Sequence, residues 1–324
     1  YFDAPEMLER IGATHDLAAE LLRQPDRFTP EVVVIRGGEG NDYLTDYFSS
    51  VKAGEQYQLM QLETSGVPFD MHYLDDVLAN PKLQEYKVFV FLNVRHITTE
   101  QRAAINEKLK LDKKTLVWLY DTGYLSESGA SPGAMSDLTG ITTITEPVRA
   151  RQTQLIPTRG HPLSINVPSF GGMSELHMMI MAMEGQSPHS ARHQPFWPED
   201  PTATPLAIYA EDGRTAAVIK QIPIDERKSW TSVYIAAPNA LDGALLNSIA
   251  VAGKAFTSGK AGPAVHMSGK FVSFHALRAG RYLLRLPPDT KRVVDLQTGK
   301  RLGQNVSELN LKIETQQTYW YRLW

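Results

Sequence analysis

The strongest constraint on the fold lies at 87–124, which reads as strand, helix, strand and a glycine-containing turn: KVFVFLN, TTEQRAAINEKL and KTLVWLYDTGY. The two apolar runs are continuous rather than alternating. That is the pattern of parallel strands covered on both faces, and parallel neighbours need a crossover such as the helix between them. In open α/β sheets, chemistry gathers beyond the carboxyl ends of such strands. At that position stand Asp121, Thr122, Gly123 and Tyr124, and the whole chain has no cysteine. The segment has the frame of an enzyme core without its commonest nucleophile.

The same alternation extends on both sides. Val32–Ile35 is a short apolar run followed by Gly37, Gly38 and Gly40, and a helix with Tyr43, Leu44, Tyr47, Phe48 and Val51 on one stripe is expected next. Residues 69–74 form a second strand, with Asp75 or Asp76 expected to cap a short helix. Strands follow at 87–92 and 115–120, and Thr98 with Gln101 has the spacing of a capping box. Met135–Leu138 fits a short helix. Residues 141–204 read as an insertion or lid, with strands at 141–148, 151–156 and 163–167. Pro205–Ala210 and Thr215–Gln221 form a hairpin around Asp212-Gly213. The strand Trp230–Ala236 and a helix through Leu241, Leu245 and Ile249, ending at Gly253, complete the sheet.

Near 260 the period changes to two. Val272, Phe274 and Ala276 alternate with Ser273 and His275; Leu309, Leu311 and Ile313 alternate with polar residues. Short strands, a Thr298-Gly299 turn and no helix predict a small antiparallel sandwich. At the other end, Leu8, Ile11, His15, Ala18 and Leu22 share one face of a helix over 4–24. The first residue is Tyr1, without a leader pattern, so the chain reads as a piece of a longer polypeptide.

Composition narrows the function classes. Thirty-three basic against 36 acidic residues, net −3, give no general electrostatic reason to expect nucleic acid or an anionic membrane as partner. No apolar run approaches the roughly 20 residues that span a bilayer. Without cysteine there are no disulfides, thiolate metal sites or cysteine nucleophiles.

Each candidate site has a plainer reading beside it. Gly37-Gly38-Glu39-Gly40 could offer backbone N–H groups to an anion, but it lacks dinucleotide spacing and a P-loop lysine, so a tight strand-to-helix turn accounts for it. The Asp121–Tyr124 turn lies where hydrolases place a nucleophile elbow, yet Asp121, Thr122 and the more distant Ser126 fit no G-x-S-x-G pattern. A degenerate or ligand-lining turn is the better reading. His189 and His193 have helical zinc spacing but no third ligand, and flanking prolines point to a loop. The aromatic tip of that loop, Phe196-Trp197, is a candidate interface contact. Met173, Met178, Met179, Met181 and Met183 suit adaptable packing. No cofactor or metal is expected from these patterns.

GVPFDMHYLDDVL, YKVFVFLN, TTEQRAAINEKL and KTLVWLYDTGYLSESG together resemble the glutamine-amidotransferase-like trimerisation domain that follows the catalytic barrel in family 42-type glycoside hydrolases, the β-galactosidases among them. RYLLRLPPDTKRVVDLQTGKRL and NVSELNLKI are similar to the small β domain closing such enzymes, and PEMLERIGATHDLAAELL to the linker leaving the barrel. The resemblance implies a barrel with two catalytic glutamates upstream of Tyr1, so no catalytic residue carries over. Amidotransferase relatives use a cysteine, which is absent here.

The expectations are therefore a helical linker at 1–28, a flavodoxin-like (class I glutamine-amidotransferase-like) α/β domain at 29–258 with a parallel sheet covered by helices on both faces, and a β-sandwich at 259–324. The leading functional reading is a non-catalytic assembly part of a glycoside hydrolase. Its partners would be the upstream barrel, further copies of the chain, and carbohydrate through the parent enzyme. The alternatives are a small-molecule or carbohydrate module with a strand-end crevice lined by Gly37, Asn93, Arg95, Asp121 and Tyr124, and a hydrolase with a non-cysteine nucleophile.

Overall fold

The computed structural model describes residues 5–23, 28–38, 58–146, 154–165, 167–171 and 194–324. The helix expected at 43–51, the methionine cluster, and His189 with His193 lie outside them. The chain divides into two units, one of residues 30–262 and one combining 1–29 with 263–324.

In chain order the elements begin with α1 (Pro5–Leu22), which belongs to the second unit. The first unit then runs β1 (Val32–Arg36), β2 (Asp70–Tyr73), α2 (Leu74–Ala79), β3 (Val88–Leu92), α3 (Thr99–Lys108), β4 (Thr115–Leu119), β5 (Leu125–Ser126), β6 (Gly129–Ala130) and α4 (Pro132–Thr139). It continues with β7 (Thr143–Thr145), β8 (Gln154–Pro157), β9 (Phe170–Gly171), β10 (Phe196–Pro198), β11 (Thr204–Tyr209), β12 (Thr215–Pro223), β13 (Ser229–Ile235) and α5 (Gly243–Ala252). Residues 58–63 are also helical.

One mixed sheet of nine described strands organises this unit, in the order β2-β1-β3-β4-β13-β12-β11-β8-β9. From β2 to β13 every pairing is parallel, and from β13 to β9 every pairing is antiparallel. The continuous apolar runs account for the parallel half: all five residues of β3 and of β4 are buried. Each such Val, Leu or Phe contributes about 1.5–3 kcal/mol by leaving water. Phe91 stacks on Trp118 at 4.3 Å, and the Trp118 indole donates to Ser232 Oγ at 3.0 Å, tying β3, β4 and β13 together.

Local signals explain most helix ends. Thr98 and Gln101 make both bonds of the capping box at the start of α3. Asp242 caps α5 by accepting from the Ala244 and Leu245 amides. Tyr73, not an aspartate, holds the N-cap position of α2; Asp75 and Asp76 lie inside its first turn, where they favour the helix dipole. Gly253 closes α5 for reasons of space rather than handedness. Its φ is −73°, and an added Cβ would lie 3.0 Å from Val88 Cγ2.

The described residues of 141–204, expected as an insertion or lid, contribute strands to two sheets. β8 and β9 are strands of the main sheet, and β7 pairs with β10. The described residues of 163–167 form turns held by Ser164 Oγ, which donates to the carbonyls of Thr158 and His161.

In the second unit, β14 (Ala264–Met267), β15 (Phe271–Ala276), β16 (Gly280–Arg285), β17 (Arg292–Asp295), β18 (Arg301–Gln304), β19 (Glu308–Ile313) and β20 (Gln317–Leu323) follow. They form an antiparallel sheet β14-β15-β20-β17-β18 and an antiparallel pair β16-β19. Residues of both sheets, including Val272, Phe274, Leu284, Leu311 and Tyr321, share one core. The period-two pattern is the cause: β19 alternates exposed and buried along its whole length. The apolar stripe of α1 stays in water, with Leu8, Ile11 and Leu22 all exposed.

Candidate functional site

Three adjacent strands of the parallel half end alike. Asn93 directly after β3, Tyr120 directly after β4, and Asn239 four residues after β13 all take left-handed backbone angles, with φ of 51°, 52° and 52°. Asparagine tolerates this region, whereas a bulky aromatic residue there is a genuine outlier costing about 1–2 kcal/mol. Such strain gathers where the surrounding structure demands an unusual backbone. The sharp turn expected at Asp121–Tyr124 therefore has its strained residue one position earlier, at Tyr120.

That turn is held rigidly. Gly123 has φ of 73°, and a Cβ there would lie 2.5 Å from Leu138 Cδ2, so any other residue would take a strained backbone and push Leu138 aside. Arg102 Nη2 donates to the Gly123 carbonyl, Arg102 Nη1 donates to the Ala134 carbonyl, and the Gly123 amide donates to Val94 O at 2.8 Å. The Tyr120 hydroxyl donates to the Gln194 carbonyl at 2.9 Å, and its ring meets Phe196 edge-on.

The sequence-derived residues fall around this turn. Arg95 Nη2 and Asp121 Oδ2 form an ion pair at 2.5 Å, with the carboxylate side chain at 2% exposure and the guanidinium at 20%. Asp121 Oδ1 and Asn93 Oδ1 are buried without a hydrogen-bond partner. Asn93 Nδ2 instead donates to Asn239 Oδ1 at 3.0 Å. The Tyr124 hydroxyl accepts from Gln194 Nε2, and its ring packs edge-on to Phe196. Gly37 lies against the backbone that follows β3: a Cβ there would approach Val94 Cα to 3.4 Å and the Asn93 carbonyl oxygen to 3.7 Å. Arg95 and Asp121 are thus brought into direct contact, Asn93 and Gly37 lie at the adjoining strand ends, and Tyr124 joins Tyr120 against Phe196.

Burial raises the Asp121 carboxyl to about 6, against the opposing pull of Arg95. The Tyr234 hydroxyl, near the end of β13, is wholly buried and unpartnered. Burial, followed by the charges of Tyr209, Asp121 and Tyr120, holds that phenol well above its ordinary range. Sequence reasoning did not find Tyr234 or Asn239. Tyr234 reads as one more apolar strand residue, and only the Pro238-Asn239 turn signal after that strand points to a strand end.

The chemistry open to this group is limited. Thr122 Oγ1 is buried and donates to the Leu119 carbonyl at 2.7 Å, while Ser126 Oγ lies at the surface beside Ser128 and the Gly129 carbonyl. Neither hydroxyl has a histidine partner among the described residues. Among those residues there is also no group of three or more metal-ligating side chains, and no helix long and apolar enough to cross a membrane.

Phe196 and Trp197 differ from the exposed tip expected for them. Both rings are buried in β10, because Tyr120, Tyr124 and the Arg214 guanidinium, 4.3 Å from the Trp197 ring centre, cover them from within the chain.

Comparison with known proteins bears on the fold. No family sequence model matches the chain, and no curated protein matches it in sequence. Solved structures do match. The β-galactosidase from Rahnella sp. R3 aligns with a TM-score of 0.61 at 14% identity, over 99% of this chain and 45% of that one. Gan42B, a GH42 β-galactosidase from G. stearothermophilus, gives 0.60 at 14% over 99% and 44%. The β-galactosidase from Bacillus circulans sp. alkalophilus gives 0.58 at 13% over 91% and 41%. The chain is similar in fold to part of these proteins and spans less than half of their length.

Proposed function

We propose that this chain is the C-terminal, non-catalytic part of a glycoside hydrolase of the GH42 β-galactosidase type. One observation carries the reading: the fold match runs over nearly the whole of this chain but less than half of each β-galactosidase. The strand-end turn adds support, since Tyr120 stands at its strained position and, among the described residues, neither Thr122 nor Ser126 has a histidine partner. The strand order β2-β1-β3-β4-β13 of the parallel half has the flavodoxin-like pattern, which supports a glutamine-amidotransferase-like ancestry for 29–258. In this reading 1–28 is the linker from an upstream barrel and 259–324 the closing β domain. The α/β domain helps wall the barrel's sugar cleft and joins neighbouring copies in a homo-oligomer.

Light scattering during size exclusion, paired with a chromogenic galactoside assay of the chain alone, tests this. A multimer without hydrolysis is expected. A strict monomer counts against the assembly role, and turnover by the chain alone overturns the non-catalytic one.

A further inference from the structure

We propose that the ends of β3, β4 and β13 form a binding site for a small neutral polyhydroxyl molecule, of which a monosaccharide is the natural example. The inference goes beyond the assembly role and does not depend on it.

Three buried polar atoms at these strand ends have no partner: Asp121 Oδ1, Asn93 Oδ1 and the Tyr234 hydroxyl. Native interiors leave few such groups, because each costs about 1–3 kcal/mol unless something completes it. These three belong to neighbouring strands of one sheet and to its carboxyl-terminal side, where open α/β folds bind ligands. The same strand ends carry Asn93, Tyr120 and Asn239 in left-handed conformations, a second and independent mark of a backbone shaped for something other than stability.

The unpartnered atoms define the ligand's chemistry. Two of them, on Asp121 and Asn93, accept hydrogen bonds; the third, a phenol, can donate or accept. The occupant must therefore donate at least two hydrogen bonds. Arg95 already balances the Asp121 charge, so a cation would have to displace it and an anion would face the carboxylate. A neutral molecule with adjacent hydroxyl groups meets all of these conditions. Solvent does not reach the three atoms, so binding calls for movement of Arg95 or Asn93, the partly exposed members of the group.

Two substitutions separate binding from folding. Tyr234→Phe removes a hydroxyl that bonds to nothing, and Asn93→Gly removes a carboxamide while suiting a left-handed backbone. Ligand-detected NMR and calorimetry of the full chain against galactose, glucose, inositol and glycerol should show saturable binding of at least one of them, with Kd around 1 mM or tighter. Each variant should remain folded and weaken that binding by about tenfold or more. No saturable binding by the unaltered chain, or binding equal in the unaltered chain and both variants, overturns the proposal. So does a crystal soaked in the same compounds that shows only ordered water at Asp121 Oδ1.

Discussion

Two acidic side chains largely withdrawn from solvent, one beside each half of the main sheet, are treated in opposite ways. In the antiparallel half, Asp200 accepts from Lys220 Nζ at 2.7 Å, from the Thr202 hydroxyl and amide, and from the Thr142 amide; Lys220 also donates to the Gly140 carbonyl. In the parallel half, Asp121 is held by Arg95 on one oxygen and by nothing on the other. Their proton affinities diverge accordingly. Burial raises both, but the Lys220 and Thr202 bonds overwhelm it at Asp200 and hold that carboxyl far below its usual range, whereas Asp121 rises to about 6. A fully coordinated buried acid is a structural clasp. The half-coordinated one, on strained strand ends, is the feature on which the proposed ligand site rests.

The largest effect is expected at the Lys220–Asp200 clasp. Lys220→Met leaves Asp200 buried without its cation and should destabilise the chain by about 3–5 kcal/mol in denaturant unfolding. A cost below about 1 kcal/mol would mean that Asp200 is no better coordinated than Asp121.

The pH dependence of Asp121 gives the next largest effect. Its folded pKa lies above its ordinary value of 3.8, so the native chain binds more protons between about pH 4 and 6. This group's contribution to stability therefore falls as pH rises through that window, by roughly 2–3 kcal/mol in total. Asp200 contributes in the opposite direction, since its depressed pKa makes stability fall as pH drops through the carboxylate range. Asp121→Asn should flatten the first trend and leave the second, as urea midpoints measured from pH 2 to 7 will show.

The smallest effect sharpens the contrast. Tyr234→Phe should leave stability within about 0.5 kcal/mol of the unaltered chain or raise it slightly, because the lost hydroxyl has no bond to lose. A large loss of stability would place a hidden partner on that oxygen.

The sequence revealed those parts of the molecule whose cause is local. The continuous apolar runs marked β1, β3 and β4, the Thr98–Gln101 pair marked the start of α3, and strict alternation marked β15 and β19. Arg95 and Asp121 were found because both follow recognisable strands. The rest depended on distant partners. Asn93 meets Asn239 across 146 residues, and Trp118 meets Ser232 across 114. The prolines around Phe196-Trp197 describe the backbone there but not the side chains that arrive to cover it. Nor does the stripe on α1 reveal that its apolar side remains exposed.

β13 is bonded in parallel to β4 along one edge and antiparallel to β12 along the other, so it joins two kinds of sheet. A fragment truncated before Ser229 would strip β4 of its neighbour and expose the edge of a fully buried, mostly apolar strand, an invitation to aggregation. Limited proteolysis should accordingly spare this seam, and expression of either half of the sheet alone should yield insoluble material.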